Sequence, residues 1–497
     1  MKRLLPILLL FLFSSLIFAQ NQLTSQTLSG LKLRNIGPAI MSGRIVDLAV
    51  VESNPITFYV ATATGGLWKT TNNGITFTPV FQNEGTHSIG AIAVHQKSSK
   101  FVWVGTGERA NRQSSSWGDG IYLSSNSGRS WKNIGLKDSH HIGRIVLHPE
   151  DTGVAYVAAM GHLWGPNPER GLYKTSDGGK SWVQLLYVDE NTGVVDVAMD
   201  PSDPNILYCA TYQRRRTPYG FDGDGPGSAL YKSADAGKTW RKIHNGLPAG
   251  EYGRIGISIY RKDPKIVYAC VEQGYQYNAS TAYIRRKAGV YRSDDKGESW
   301  TFMSDWNPRP MYASQILVDP VDDKRVYMMN QYSYSDDGGK TFRPIRQSLH
   351  GDDRILWVNS KNNHHVIKGD DGGLGISYDR GRTWLYSTNL PVSQFYRVRV
   401  DNKKPYWVYG GLQDNGSWYG PNETYRSDGI RNEDWIRSGG GDGFLSIPHP
   451  TDENIIFGES QYLGLFRMNT KTREVKSIRP GDPKGHISAR RNWDAWG

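Results

Sequence analysis

Hydrophobic residues fall along this chain in short runs, not in helical stripes. Ile145-Val146-Leu147, Val154-Ala155-Tyr156-Val157, Ile206-Leu207-Tyr208, Ile266-Val267-Tyr268 and Ile316-Leu317-Val318 are typical, and polar turns separate them. Several turns carry a proline after Asp or His, as in His148-Pro149, Asp200-Pro201 and Asp319-Pro320. Proline has no N–H for a ladder and pushes the residue before it out of helical space, so each dipeptide ends a strand and starts a turn. Short apolar runs bounded by turns predict an all-β chain of many short strands.

One eight-residue pattern recurs between these runs: Ser or Thr, any residue, Asp, any, Gly, any, Ser or Thr, aromatic. It stands at 175–182, 233–240, 293–300, 335–342 and 377–384. Looser copies at 70–77 and 124–131 have Asn72 and Asn126 in the Asp place. A strand runs into each copy and another leaves it, so each predicts a β-hairpin. The Asp or Asn side chain can accept N–H groups inside the turn. The glycine two residues on supplies a positive φ, and the closing aromatic can bury its face against the next sheet. The copies begin 54, 51, 58, 60, 42 and 42 residues apart. A four-stranded propeller blade takes about 40–50 residues, and insertions lengthen it.

The chain therefore reads as a β-propeller of four-stranded blades, about seven of them over 30–388. Two units without the pattern, 395–421 and 444–467, either begin a second propeller over 389–497 or continue one larger ring. The end at Arg490-Arg491-Asn492-Trp493-Asp494-Ala495-Trp496-Gly497 offers no closing strand and predicts that a further half of the protein follows. Long inserts at 108–118, 161–170, 213–228 and 273–287 fall between second and third strands, where they would gather at one mouth. Function in such folds sits on loops of this kind.

Composition narrows the setting. Among 497 residues, Gly 56, Trp 16 and Tyr 28 suit tight turns and aromatic wedges and argue against disorder. Residues 1–19 read as a signal peptide: Lys2 and Arg3 lead, an apolar core spans 4–13, and Ala19 precedes Gln20-Asn21-Gln22. No later run approaches the roughly 18 apolar residues of a membrane helix. A secreted, periplasmic or cell-surface protein without a membrane span is expected. The net charge is +11, or +9 without the leader, and is scattered apart from Arg214-Arg215-Arg216. In an exported chain this sets nucleic acid aside and suits acidic glycans or a cell envelope. Cys209 and Cys270 lie in corresponding strands of neighbouring units, one residue out of step. Stacked sheets sit about 10 Å apart and a disulfide wants Cα atoms within about 7 Å, so two buried thiols are expected.

The eight-residue pattern resembles the Asp-box (BNR) repeat. The units around it are similar to an exported bacterial family that joins sortilin-type propellers with xyloglucanase-like glycoside hydrolases. The matching stretches are Arg34-Asn35-Ile36-Gly37-Pro38-Ala39, Gly105-Thr106-Gly107-Glu108, Ser116-Trp117-Gly118-Asp119-Gly120, Gly161-His162-Leu163-Trp164-Gly165-Pro166-Asn167, Gly411-Leu412-Gln413-Asp414-Asn415-Gly416 and Gly439-Gly440-Gly441-Asp442-Gly443-Phe444. The resemblance implies the fold; that fold hosts hydrolases, lectins and peptide receptors alike. In xyloglucanase-like enzymes a catalytic Asp occupies a first-blade turn that resembles Thr62-Ala63-Thr64-Gly65-Gly66, where this chain has Ala63. The second family carboxylate resembles Asp370 in Gly369-Asp370-Asp371-Gly372-Gly373. The Phe/Tyr-Arg-Ile-Pro strand of sialidases has no match at Arg34-Asn35-Ile36-Gly37-Pro38.

A glycosidase needs two carboxylates about 5–9.5 Å apart across the bond. The candidates for acid and base are Asp370, Glu108, Asp414 and Asp442, with Asp119 beside them. Trp117, Trp164, Trp418 and Trp435 offer faces for a sugar or peptide, and His162 shares a loop with Trp164. Against this, an Asp in Gly-Asp-Gly or Asp-Asn-Gly is ordinarily a turn cap, and the turn alone accounts for Asp177, Asp235, Asp295, Asp337 and Asp379. Arg44, Arg144 and Arg254 each follow a glycine at the start of a first strand, where together they could hold an acidic group. The competing reading pairs each with an acid of the next blade. His140-His141 and His364-His365 point to opposite strand faces, and Asp222-Gly223-Asp224-Gly225 lacks the later Glu of a calcium loop. No metal and no cofactor is expected. The function expected is binding of a peptide or glycan in the propeller mouth. The alternatives are a glycoside hydrolase and a structural module of a larger surface assembly.

Overall fold

The computed structural model describes residue 24 and residues 26–111, 115–273, 288–312, 314–329, 332–345 and 350–480. The leader at 1–19, the end at 490–497 and most of the insert at 273–287 lie outside the described residues. Contacts divide the chain into Met1–Ile36 and Gly37–Gly497. In the first unit Thr24 and Thr27 bond each other through backbone and hydroxyl groups ahead of a turn at 26–30.

The second unit is all sheet. Among the described residues it holds nine four-stranded antiparallel sheets and a two-stranded ribbon, Arg215–Thr217 with Gly220–Asp222, inside the fourth. Each sheet is a meander, as in Ile142–Leu147, Ala155–Ala159, Gly171–Thr175 and Val183–Leu186. The first two strands of the first sheet, Ile45–Val50 and Phe58–Thr62, are buried at every position, while its fourth, Thr78–Pro79, is exposed. Burial on both faces is why these strands read as continuous apolar runs instead of alternating ones. It is the signature of sheets stacked face to face, outer edge to solvent, as in propeller blades. Cys209 and Cys270 are buried free thiols in the second strands of the fourth and fifth sheets.

The eight-residue pattern closes each hairpin with side-chain bonds. Thr175 Oγ1 donates to Asp177 Oδ1 at 2.8 Å and accepts the Gly179 N–H at 2.9 Å. Asp177 Oδ1 accepts the N–H groups of Lys180 and Ser181, and Oδ2 takes the Ser181 hydroxyl at 2.6 Å. The Ser181 hydroxyl is the leading reason its carboxyl is lowered to about 2. The same bonds recur around Asp235, Asp295, Asp337 and Asp379. Asn72 and Asn126 keep the acceptor for the backbone and turn their Nδ2 donor to the hydroxyl, so Asn fits where the neighbour is a hydroxyl. The closing aromatic reaches the preceding sheet: Trp182 Nε1 donates to the Ile134 carbonyl at 2.7 Å, and Trp131 Nε1 to the Val80 carbonyl at 2.6 Å.

Buried aspartates staple the first strands. Asp47 Oδ2 accepts the Ile92 N–H at 3.0 Å, and Asp196 Oδ2 the Ile257 N–H at 3.0 Å, each across to the next sheet. The seventh sheet packs on the first: Ile367, Leu374 and Ile376 share a cluster with Ile45, Leu48, Val50, Phe58 and Val60. In the last two sheets Tyr409, Tyr419 and Ile456 pack together.

Two substitutions separate the hydroxyl from the carboxylate in the pattern. Thr175→Val keeps the shape but leaves the buried Gly179 N–H without an acceptor, and should cost about 1–3 kcal/mol in a denaturant titration. Asp177→Asn should leave the midpoint at pH 7 almost unmoved, as Asn72 and Asn126 foretell. Equal losses in the two variants would contradict this division of labour.

Candidate functional site

An antiparallel meander puts the turns between strands two and three at one end and the turns between three and four at the other. First strands also begin at the former end, as the pairs Ile45 with Thr62 and Asp353 with Asp370 record. The eight-residue turns therefore lie at one end, and the long inserts, Arg44 and the acids after the second strands lie at the other.

There, four sheets meet on one guanidinium. Arg44 directs Nε and Nη2 to the two oxygens of Asp371, at 2.9 and 2.8 Å. Its Nη1 donates to Glu108 Oε1 at 3.0 Å, and Nη2 also reaches Asp414 Oδ2 at 2.8 Å. Arg354 grips the other side of Asp371 in the same bidentate way, at 2.7 and 2.6 Å, and donates to the Tyr312 hydroxyl. Arg44, Glu108, Arg354 and Asp371 are all buried. Burial opposes charge on Asp371, but the Arg354 and Arg44 guanidiniums outweigh it and hold that carboxyl well below its ordinary value. Gly43 is required beside this cluster, because a Cβ there would meet the Val392 carbonyl oxygen at 2.1 Å. Asn415 docks the eighth sheet's turn, donating from Nδ2 to the carbonyls of Asp371 and Ser42. Asp414 holds a left-handed backbone at φ 64° within that turn.

Glu108 and Asp414, put forward as acids, thus meet Arg44, put forward as one of an arginine set. Asp442 joins them through backbone, its carboxylate accepting the Asp414 N–H and a Gln461 amide proton. Asp370 turns its side chain the other way. It is buried against Lys368 Nζ at 3.0 Å, and Lys368 also holds Asp353 at 3.0 Å. Burial, opposed by Lys368, pushes the Asp370 carboxyl up to about 6. Asp119 accepts the Tyr122 hydroxyl at 2.7 Å, as a turn acid does.

The arginine set does not converge on one point. Arg144 pairs with Asp196 at 3.0 Å and borders a cleft of about 520 Å³ at the far ends of the first strands. Arg254 is buried further along the axis, and its Nη1 lies 3.5 Å from the Arg109 carbonyl. With Arg109, Arg354 and Tyr312 it lines a cavity of only about 20 Å³, room for about one water. Arg44 and Arg144 therefore do not share one acidic-group site: Arg44 is filled by Asp371, Glu108 and Asp414, and Arg144 gives its Nε to Asp196. Arg354 and Asp371 were missed. Arg354-Ile355 repeats the Arg-Ile of the other three strands, with Asp353 in place of the glycine.

The aromatics divide. Trp117 and Trp164 are 68 % and 50 % exposed, whereas Trp418 and Trp435 are 6 % and 4 % exposed. Trp418 donates Nε1 to the Asn415 carbonyl at 2.7 Å. It and Trp435 are packing wedges, a correction to their reading as ligand faces. Trp117 stacks on His140, which stacks on His162 with ring centroids 3.7 Å apart. Two groups bring three ligand atoms within 4.8 Å of one another: Asp138, His140 and His162, and His350, Asp352 and Asp414.

Residues 119–285 match the family model described as Sortilin, neurotensin receptor 3 (Sortilin-Vps10). The chain is 23 % identical over 349 residues to a xyloglucanase of Hypocrea jecorina, covering 62 % of this chain and 40 % of that protein. It is 29 % identical over 154 residues to the vacuolar protein sorting/targeting protein 10 of Fusarium vanettenii, covering 29 % and 9 %. The crystal structure of the GH74 xyloglucanase from Xanthomonas campestris superposes with TM-score 0.56 at 13 % identity, over 90 % of this chain and 75 % of that one. The chain is a β-propeller, similar over parts of its length to sortilin-type and xyloglucanase proteins. It spans less than half the length of each of these two curated relatives.

In this propeller Ala63 is buried, and its N–H donates to the Arg44 carbonyl at 3.1 Å. Its side chain belongs to an apolar cluster with Val46, Leu67 and Ile89, where a carboxylate would be buried among aliphatic groups.

Arg44→Met should cost about 3–5 kcal/mol in a denaturant titration, since it strands buried acids. The Asp370 carboxyl carries a folded value above its ordinary one, so Asp370 loses stability as pH rises from about 4 to 6. Relative to wild type, Asp370→Asn should gain on the order of 3 kcal/mol across that window and no more above it. A flat difference between pH 4 and 7 would refute the burial of a proton there.

Proposed function

We propose that this protein is an exported propeller that binds a peptide or glycan at the mouth end of its sheets. The reading is carried by one observation: the mouth acids are engaged as counter-ions or turn caps. Glu108 and Asp414 answer Arg44, Asp370 answers Lys368, and Asp442 caps a turn. A general acid must be able to give a proton to the substrate, and Ala63 removes the first-blade carboxylate outright. Trp117 and Trp164 remain exposed at the same end for stacking or apolar contact. The sortilin-like match and the xyloglucanase relatives support a ligand of peptide or polysaccharide kind. We further propose that the first seven sheets close one ring, from the packing of the seventh on the first, and that the last two begin a second.

The second reading is a glycoside hydrolase, favoured by the adjacent Asp370 and Asp371. Burial lifts one carboxyl to about 6 and two arginines depress the other, and such divergent pairs are found at acid–base sites. Reducing-end release from a polysaccharide panel, xyloglucan included, separates the two. The binding reading expects no release, saturable binding to a peptide or oligosaccharide array, and at least tenfold weaker binding in Trp117→Ala. Release that disappears in Asp370→Asn or Glu108→Gln would replace it with the hydrolase.

A further inference from the structure

At the rim of the mouth, His140 and His162 present their Nε2 atoms to a single oxygen. His162 Nε2 lies 3.2 Å from Asp138 Oδ1, and His140 Nε2 lies 3.7 Å from the same atom. In a tetrahedral zinc site with bonds of about 2.0–2.2 Å, neighbouring ligand atoms stand about 3.3–3.6 Å apart. The two distances to Asp138 bracket that spacing, and all three ligand atoms lie within 4.8 Å of one another. Its elements are fixed independently of one another. Asp138 lies in a short 3-10 turn, Lys137–Ser139, and His140 ends it with a left-handed backbone at φ 55°. The His140 carbonyl accepts the Gly118 N–H at 2.8 Å, which ties it to the Trp117 loop. Arg170, wholly buried, donates to the carbonyls of Met160 and His162 and so shapes the loop that carries His162.

The charge around the triad favours a cation. The Asp138 carboxylate meets His140, His162 and Asn167, and among the described residues no Lys or Arg bonds it. Glu169 stands nearby, with a buried Oε2 that has no hydrogen-bond partner. The other triad, His350, Asp352 and Asp414, lacks this character. Arg309 pairs with Asp352 and Arg44 bonds Asp414, so both of its carboxylates already answer a guanidinium.

We propose that Asp138, His140 and His162 hold a zinc-type divalent metal ion, with a further coordination position open to solvent beside Trp117. Two imidazoles and one carboxylate suit such an ion, and three protein ligands leave a place for water or for an oxygen donor of a bound molecule. Asn167, donating Nδ2 to the second oxygen of Asp138, orients the carboxylate. The site stands whether the mouth takes a peptide, a glycan or neither.

The test is Zn²⁺ titration of the full chain, without a histidine tag, by calorimetry and by competition with a chromophoric chelator. The visible spectrum of the Co²⁺ form reports geometry. One saturable equivalent is expected, with a four- or five-coordinate Co²⁺ spectrum. His162→Ala and Asp138→Ala should each weaken binding at least tenfold, and His244→Ala, at an exposed position elsewhere, should not. His162 and Asp138 side chains are 23 % and 59 % exposed, so both variants should keep the wild-type circular dichroism. Equal Zn²⁺ binding by wild type and both variants, or no saturable equivalent in wild type, would overturn the assignment.

Discussion

A single carboxylate, Asp371, holds two arginines by their bidentate edges, and the mouth of this propeller is built around that sandwich. Burying a guanidinium is costly unless an anion of matching shape meets it, and the paired N–H edge of arginine fits a carboxylate well. Arg44 comes from the first sheet and Arg354 from the seventh; Glu108 follows a strand of the second, and Asp414 sits in a turn of the eighth. Four sheets therefore meet through one charge cluster. Glu108 and Asp414 are drawn inward as its counter-ions.

The two ends of the sheets obey different physics. At one end the hydroxyl, carboxylate and glycine of each turn satisfy one another within eight residues, so the copies are nearly identical. At the other end the central arginine draws partners from far along the chain: Arg44 and Asp371 are 327 residues apart, and Arg44 and Asp414 370. Irregular loops at that end leave Trp117, Trp164 and His162 accessible while Trp418 and Trp435 are consumed in packing.

Much of this architecture was legible in the residues. The repeated turn named its own hydrogen bonds, because Ser or Thr, Asp and Gly at fixed offsets can satisfy only each other and the local backbone. The short apolar runs named strands buried on both faces, and the distance between stacked sheets foretold free thiols at Cys209 and Cys270. Glu108, Asp414 and Arg44 were singled out from their loops, and they do meet.

What each of those charges faces was decided only by the tertiary structure. Asp370 and Asp371 are neighbours in sequence, yet one sits on Lys368 with its carboxyl raised to about 6 and the other lies between two arginines with its carboxyl depressed. Adjacent residues on an extended chain point to opposite sides, so the environment of each depends on which sheet is stacked there. The same holds for histidine: His141 turns inward to the Glu108 carbonyl, while His140 faces Asp138 of its own turn and His162 on another loop. Turn chemistry is local and can be read from spacing. Charge pairing across sheets depends on stacking and register, which no stretch of the chain specifies alone.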